Sequence, residues 1–272
     1  MTEIFGFDAY APKDLAERVE TIGVAEARLP LQSQIALGVL AGGFIGLGAL
    51  YFTLVTSDVN LSFAAGRLLG GLTFSLGLIL VVIAGAELFT GNNLLVLAWA
   101  SRRITTRELL GNWLTIYLAN FLGALGLVAL VYLSNHWQMN GSTVGIQAVK
   151  IAAAKAALTF WDAFFKGILC NILVCLAVWL ALAGRSVVDK IFAVIFPISA
   201  FVAAGFEHSV ANMYFMPLGI LLKDQVVVGG AENLSWLALW SNLLPVTLGN
   251  IVGGSVMVAL IYFIIYRRQA QS

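Results

Sequence analysis

Long apolar stretches separated by short polar segments dominate the chain. Residues 34–56, 113–133 and 167–184 contain no Asp, Glu, Lys or Arg. A helix needs about 20 apolar residues to cross the hydrocarbon core of a bilayer, where every backbone polar group must be satisfied internally. The pattern predicts six membrane-spanning helices, at residues 34–56, 68–100, 112–133, 160–183, 191–222 and 237–266.

The second and fifth predicted spans are longer than one straight crossing, and each contains a polar cluster. The pattern AGxExxxxN begins at Ala84 in one span and at Ala204 in the other. The first and fourth spans match weakly around Gly38 and Gly167. The third and sixth spans match through residues offset by 130 positions: Asn112, Asn120, Gly123 and Tyr132 with Asn242, Asn250, Gly253 and Tyr262.

Two copies of a three-span unit must cross the membrane in opposite directions, because three is odd. Inverted repeats with paired broken helices typically enclose a solute pathway near the bilayer midplane. We therefore predict an all-α bundle of six transmembrane helices with an inverted three-helix repeat and broken second and fifth helices. The alternative, that the clusters are only packing kinks, leaves two glutamates at bilayer depth without a reason.

The distribution of Lys and Arg among the loops predicts the orientation. Ten of them lie on the side of the two termini and four on the other side. Cytoplasmic loops carry the excess of these residues, so both termini are expected in the cytoplasm and the protein in the cell (inner) membrane. We expect a cytoplasmic segment at 1–30 and a channel domain at 31–268, which contains repeat one (31–133) and repeat two (158–266).

The segment before the first span has the pattern of an amphipathic helix. Leu15, Val19 and Ile22 recur at helical spacing, and Pro12 suits a first helical turn. We expect this helix to lie flat on the membrane surface. The alternative is a movable plug over a pore mouth.

Composition and charge narrow the function. Hydrophobic residues make up 60% of the 272 residues and charged residues 11%, against about 25% charged in soluble domains. The net charge of +1 and the absence of a basic block argue against a nucleic-acid partner. Glu207-His208 does not fit H-E-x-x-H, and the other histidine, His136, lies at the end of the third span. No enzymatic activity, metal or other cofactor is expected.

Four stretches resemble the motifs of the formate/nitrite transporter family: ELFTGNN at 87–93, KGILCNILVCLAVW at 166–179, GFEHSVANM at 205–213 and PVTLGNIVGG at 245–254. The resemblance extends over nearly the whole chain. It implies an aquaporin-like fold, a homopentamer with a pore in each protomer, and passage of small monovalent weak-acid anions with or without a proton. A channel for neutral solutes is the nearest rival, although the aquaporin Asn-Pro-Ala pair is missing.

The resemblance also implies roles for individual residues. His208 matches the central pore histidine, with Thr90 and Asn171 near it, and Lys155 matches a lysine that attracts anions at the outer vestibule. The narrow apolar path is expected at Phe74, Leu78, Leu88, Phe89, Val174 and Phe201. The broken helices are expected to be supported by Glu87, Asn92, Glu207 and Asn212.

Lys166 departs from part of the family. It follows Asp162 by four residues, so we expect a helical ion pair between the two.

The substrate prediction rests on a few positions. Phe206 and Met216-Pro217 favour formate, whereas FFKGILCN at 164–171 resembles the nitrite branch, so nitrite or hydrosulfide is the alternative. Such anions can accept a proton and pass an apolar constriction as neutral acids. His208 can supply that proton, since an ordinary histidine titrates at about pH 6.5. The alternative role for His208 is a neutral scaffold that holds the broken helix.

Overall fold

A computed structural model describes residues 9–267. Residues 1–8 of the predicted N-terminal segment, and Arg268 in the charge count, lie outside the described residues. Ten α-helices form within the described range. They are α1 (Pro12–Ala27), α2 (Leu31–Thr56), α3 (Phe63–Ala84), α4 (Val96–Ala100), α5 (Thr106–Leu133), α6 (Thr143–Ala156), α7 (Phe160–Ala183), α8 (Val187–Ala204), α9 (Ser209–Leu222) and α10 (Trp236–Ile251).

Six helices are long and apolar enough to cross a membrane, which confirms the number of spans. They are α2, α3, α5, α7, α8 and α10, the last continued by π-helical turns to Arg267. α6 lies in a stretch where hydropathy predicts no span, and it packs against α9.

The second and fifth spans are both interrupted, as the repeated sequence pattern predicts. α3 ends at Ala84, and helical structure resumes at Gly91 in 3₁₀ turns that lead into α4. α8 ends at Ala204, and α9 begins at Ser209. Gly85 and Gly205 follow the two helices with φ of 77° and 73°, a left-handed conformation that favours glycine and ends a helix.

Glycines bring the helices of each half into backbone contact. A Cβ at Gly42 on α2 would overlap the carbonyl of Asn120 on α5, and a Cβ at Gly123 would overlap that of Val39. In the second half, Gly249 and Gly253 press against α7 in the same way. These small-residue faces therefore close helix pairs within the protomer, and they fix α5 and α10 beside the two breaks.

α1 packs its apolar face against the protein, and that it also lies along the membrane surface stays a prediction. Leu15 and Val19 are buried with Leu95 and Leu97, next to the first break. The buried Glu20 carboxylate accepts hydrogen bonds from Ser101 Oγ at 2.9 Å, Arg103 Nη1 at 3.2 Å and Arg267 Nε at 2.7 Å. This ion-pair network holds α1 to the second-third loop and to the end of the sixth span.

Candidate functional site

One buried asparagine on α5 holds the first break. Asn120 Oδ1 accepts the backbone N–H of Phe89 at 2.9 Å. Its Nδ2 donates to Glu87 O at 2.9 Å and to Gly38 O on α2 at 2.7 Å. The amide group thereby satisfies backbone groups that the interrupted helix leaves free, which buried polar groups require.

A second asparagine repeats this arrangement at the other break. Asn250 Oδ1 accepts Ser209 N–H at 2.9 Å, and Nδ2 donates to Glu207 O at 3.0 Å and Gly167 O at 2.8 Å. The glutamate N–H groups are also matched. Glu87 N donates to Leu37 O and Glu207 N donates to Lys166 O, both at 3.3 Å. Each of these hydrogen bonds at the first break therefore has a counterpart at the second break, as the inverted repeat predicts.

The four residues predicted to support the broken helices bond to one another in pairs. Asn92 Nδ2 donates to Glu87 Oε2 at 2.7 Å, and Asn212 Nδ2 donates to Glu207 Oε2 at 2.6 Å. The same two amides also donate to α5 and α10, through Asn112 Oδ1 at 3.0 Å and Asn242 Oδ1 at 2.7 Å. Each glutamate is thus tied across its own break to a neighbouring span.

The correspondence extends beyond the three spans to α1 and α6. Asn112 Nδ2 donates to Glu26 O at 3.3 Å, and Asn242 Nδ2 donates to Lys155 O at 3.1 Å. Glu26 and Lys155 are therefore equivalent positions in the two halves. The sequence analysis missed Glu26, although the offset of Gly38 from Gly167, continued backward, leads from Glu26 to Lys155.

The two equivalent positions differ in charge. Lys155 Nζ lies 2.9 Å from Glu207 Oε1 and 3.1 Å from Oε2, with only 13% and 6% of the two side chains exposed. Lys155, predicted to attract anions, is therefore already neutralised by a carboxylate. Glu26 is half-buried near Glu87 instead, and desolvation together with that second carboxylate raises the pKa of Glu26.

His208 lies at the N-terminus of α9 and bonds through both ring nitrogens. Nδ1 accepts the backbone N–H of Ala211 at 3.1 Å, so in the neutral ring the proton is on Nε2. Nε2 lies 2.8 Å from Thr90 Oγ1 of the first break. The ring therefore caps one broken helix and reaches the other, and it is buried.

Two cavities approach this histidine region from opposite ends of the bundle. The α6 cavity, about 570 Å³, is lined by α6 and by Phe74, Phe201, Glu207 and His208. The α1 cavity, about 170 Å³, is lined by α1 and by Leu78, Leu88 and Glu87. The two share no lining residue, and Phe74 and Leu78 are one helical turn apart on α3.

Aromatic rings narrow the α6 cavity at its inner end. The Phe74 and Phe201 rings meet edge to face at 5.7 Å, and Phe201 stacks on His208 at 6.0 Å. This brings together the predicted constriction and the predicted central histidine. An apolar neck therefore separates the charged wall of the α6 cavity from the Leu78 and Leu88 side chains.

Other predicted pathway residues line neither cavity. Phe89 packs edge-on against Trp113 and Tyr117 at 6.2 and 4.9 Å, and Val174 is buried in the core. Asn171 Nδ2 donates to Thr90 O, Asn93 Oδ1 and Asn250 O at 3.2, 2.8 and 2.8 Å. Phe89, Val174 and Asn171 therefore pack inside the protein and line neither of these two cavities. Thr90 is connected to the α6 cavity through the bond between its hydroxyl group and His208.

The predicted Asp162–Lys166 ion pair is wrong. Asp162 is engaged at the start of α7, where Thr159 Oγ1 donates to Asp162 Oδ2 at 2.7 Å. Within residues 9–267, Lys166 Nζ has no ion-pair or hydrogen-bond partner. Lys166 is among the residues that line the α6 cavity.

Comparison with known proteins gives consistent matches along the chain. Residues 13–264 match the formate/nitrite transporter family. The formate channel FocA of Escherichia coli strain K12 is 42% identical over 275 residues, covering 97% of this chain and 96% of that protein. A probable formate transporter of Methanothermobacter thermautotrophicus is 40% identical, covering 95% and 98%.

Solved structures agree with this sequence similarity. A pentameric formate channel with formate bound superimposes with a TM-score of 0.81 at 40% identity, covering 87% of this chain and 97% of that chain. An FNT family ion channel gives a TM-score of 0.82 at 30% identity, covering 93% and 98%. The broken-helix fold and the sequence motifs therefore point to the same group of membrane proteins.

Proposed function

Because this chain belongs to the formate/nitrite transporter family, we propose that it conducts formate across the membrane by a pH-dependent pathway within each protomer. The observation that carries the proposal is the contact between His208 Nε2 and Thr90 Oγ1 at 2.8 Å, beside the ring pair of Phe74 and Phe201. The contact supports a proton transfer at the neck, because His208 is the titratable donor there among residues 9–267 and lies where an anion would leave the charged α6 cavity.

The neck favours a neutral acid over a bare anion. Moving an unpaired charge into an apolar environment is costly, and Phe74, Phe201, Leu78 and Leu88 offer a carboxylate no hydrogen bond. Formate escapes this penalty by accepting a proton. His208 Nε2–H and the Thr90 hydroxyl can bind the two formate oxygens during that step.

The hydrogen bonds of His208 define when it can act as an acid. A neutral ring that gave up its Nε2 proton would become an imidazolate, so the donor must be the imidazolium. Forming the imidazolium requires a proton on Nδ1 and loss of the bond from Ala211 N–H. Proton uptake from the α6 cavity is therefore coupled to loosening of the α9 cap. Transfer of the Nε2 proton to formate leaves the ring protonated on Nδ1, so the cap re-forms only when Nδ1 releases its proton and Nε2 takes one up.

The assembly and orientation that we propose follow from the family and the charge pattern. The protein forms a homopentamer in the lipid bilayer of the inner membrane, with both termini in the cytoplasm. The α6 cavity then opens to the outside and the α1 cavity to the cytoplasm. Six apolar spans and the match to a pentameric channel structure support this arrangement.

The test replaces His208 with a side chain that keeps the α9 cap and does not titrate. His208→Asn can accept Ala211 N–H through Oδ1 and retains an amide donor on the side of Thr90. Formate-driven acidification of proteoliposomes between about pH 5 and 8 should fall on the order of 100-fold, the scale of a lost proton-transfer group. His208→Ala should lose acidification as well and destabilise the α9 cap. Wild-type acidification by the Asn variant, with normal assembly, would show that His208 is a scaffold.

Nitrite is the second candidate, because KGILCN at 166–171 resembles the nitrite branch. The same proteoliposomes, given nitrite, hydrosulfide or glycerol in place of formate, separate the candidates. Faster acidification with nitrite than with formate at equal concentration would assign the protein to nitrite. Glycerol flux comparable to that of formate would favour a neutral-solute channel.

A further inference from the structure

The wall of the α6 cavity carries more positive than negative side chains. Asp58, Arg67, Lys150, Lys155, Lys166 and Glu207 line it. Lys155 and Glu207 neutralise each other at 2.9 Å. Arg67 lies over the Phe63 ring at 5.3 Å, and Lys150 and Lys166 have no ion-pair or hydrogen-bond partner within residues 9–267. The cavity is therefore left with a net positive charge.

Lys166 differs from the other two uncompensated cations in burial and in position. Arg67 and Lys150 are exposed, whereas Lys166 is half-buried. Its backbone is fixed, because Lys166 O accepts Glu207 N–H at 3.3 Å, directly beside His208. The equivalent residue in the first half is Leu37, whose carbonyl accepts Glu87 N–H in the same way. The second half thus places an ammonium where the first half has an apolar side chain.

Lys166 is half-buried and lacks a protein partner within residues 9–267, and an anion stabilises an ammonium that is partly removed from water. We propose that Lys166 captures the substrate anion in the α6 cavity and passes it to His208, while Lys155 holds Glu207 in the broken helix. Arg67 and Lys150 contribute only to long-range attraction, which salt screens efficiently at exposed positions. The inference rests on the proposed function and specifies which side chain selects for charge at this mouth.

The experiment measures formate flux into proteoliposomes as a function of formate concentration. Lys166→Gln should raise the half-saturating concentration about two- to five-fold, the range of a half-exposed ion contact. The maximal rate should change little, because the proton step at His208 is intact. Lys166→Arg should retain the wild-type value. The matched control is Lys150→Gln, on the exposed wall of the same cavity, whose smaller effect should vanish at high ionic strength.

A charge-rescue arm separates loss of the ammonium from loss of packing. Treatment of Lys166→Cys with 2-aminoethyl methanethiosulfonate restores a lysine-like side chain. It should bring the half-saturating formate concentration back toward the wild-type value. Methyl methanethiosulfonate adds no charge and should not restore it. Treated wild-type protein is the control for Cys170 and Cys175, which are buried.

Two results would overturn the inference alone. One is a wild-type half-saturating concentration in Lys166→Gln, and the other is an equal rise in Lys150→Gln. Both presuppose wild-type protein that carries formate. Wild-type protein without formate flux would overturn the proposed function together with this inference.

Discussion

In the α1 cavity a half-buried Glu26 lies near Glu87, whereas in the α6 cavity Lys155 occupies the equivalent position and binds Glu207 at 2.9 Å. The surrounding hydrogen bonds are the same in both halves, through Asn120 at one break and Asn250 at the other. The cavities differ in size as well, about 170 against 570 Å³.

The comparison separates two features of the site: the frame, meaning the hydrogen bonds of Asn120 and Asn250 that hold the two breaks, and the charged side chains at the two cavity mouths. An asparagine amide supplies a donor and an acceptor together, so it can hold a broken helix in either direction across the membrane. The residues that differ are Glu26 on α1 and Lys155 on α6, and each joins the asparagine bonds only through its backbone carbonyl. The two mouths can therefore carry opposite charge while the asparagine bonds at the breaks stay the same, and in one half Lys155 adds an ion pair to Glu207.

The largest effect should come from breaking the frame. Asn120→Ala and Asn250→Ala each strand one buried N–H and one carbonyl group of a break, and each removes a further bond to a helix carbonyl. Each stranded group costs about 1–3 kcal/mol, so both variants should lose most folded, assembled protein. Yield and size-exclusion profile in mild detergent measure this. The exposed Asn60→Ala is the control, and tolerance in one half alone would break the equivalence.

A smaller loss of stability should follow from removing the Lys155 ammonium at the α6 mouth. Lys155→Met leaves the Glu207 carboxylate buried with Asn212 as its remaining side-chain partner. Removing one partner of a buried ion pair costs about 3 kcal/mol or more. The double variant Lys155→Met/Glu207→Gln should recover much of this loss, because the Gln carbonyl still accepts the Asn212 bond. Thermal unfolding in detergent compares the three proteins, and an unrescued double variant would show that Lys155 acts by other contacts.

The smallest effect on stability should come from a substitution at the α1 mouth, and it should stabilise the protein. The raised pKa of Glu26 means that the folded state favours the protonated carboxyl. The associated stability is present at low pH and is lost as the pH rises above the ordinary glutamate value through the raised pKa. Glu26→Gln should therefore unfold at a higher temperature than wild type, with a difference that widens as the pH rises above the ordinary glutamate pKa of about 4.3. If the difference in unfolding temperature between Glu26→Gln and wild type did not depend on pH, the proposed electrostatic contrast between the two mouths would be wrong.

Hydropathy and the repeated AGxExxxxN pattern were sufficient to predict the six spans and both breaks, because apolar length and a polar cluster at bilayer depth are local signals. α6 was missed since its 14 residues fall short of the roughly 20 that identify a span. The partner of Lys155 was missed because Glu207 is 52 residues away. The wrong Asp162–Lys166 pair shows the same limit, since helical spacing does not reveal that Thr159 engages the carboxylate.

The Glu20 network has a consequence for the order in which the protein matures. Glu20 is on α1, which precedes all six spans, and its partners Ser101 and Arg103 follow the second span. Its third partner, Arg267, is made only after the sixth span. The docking of α1 over its cavity is therefore completed last, once all six spans have been synthesised. Until then the α1 cavity lacks part of its cover, and a chain stalled before Arg267 leaves Glu20 with an incomplete set of partners.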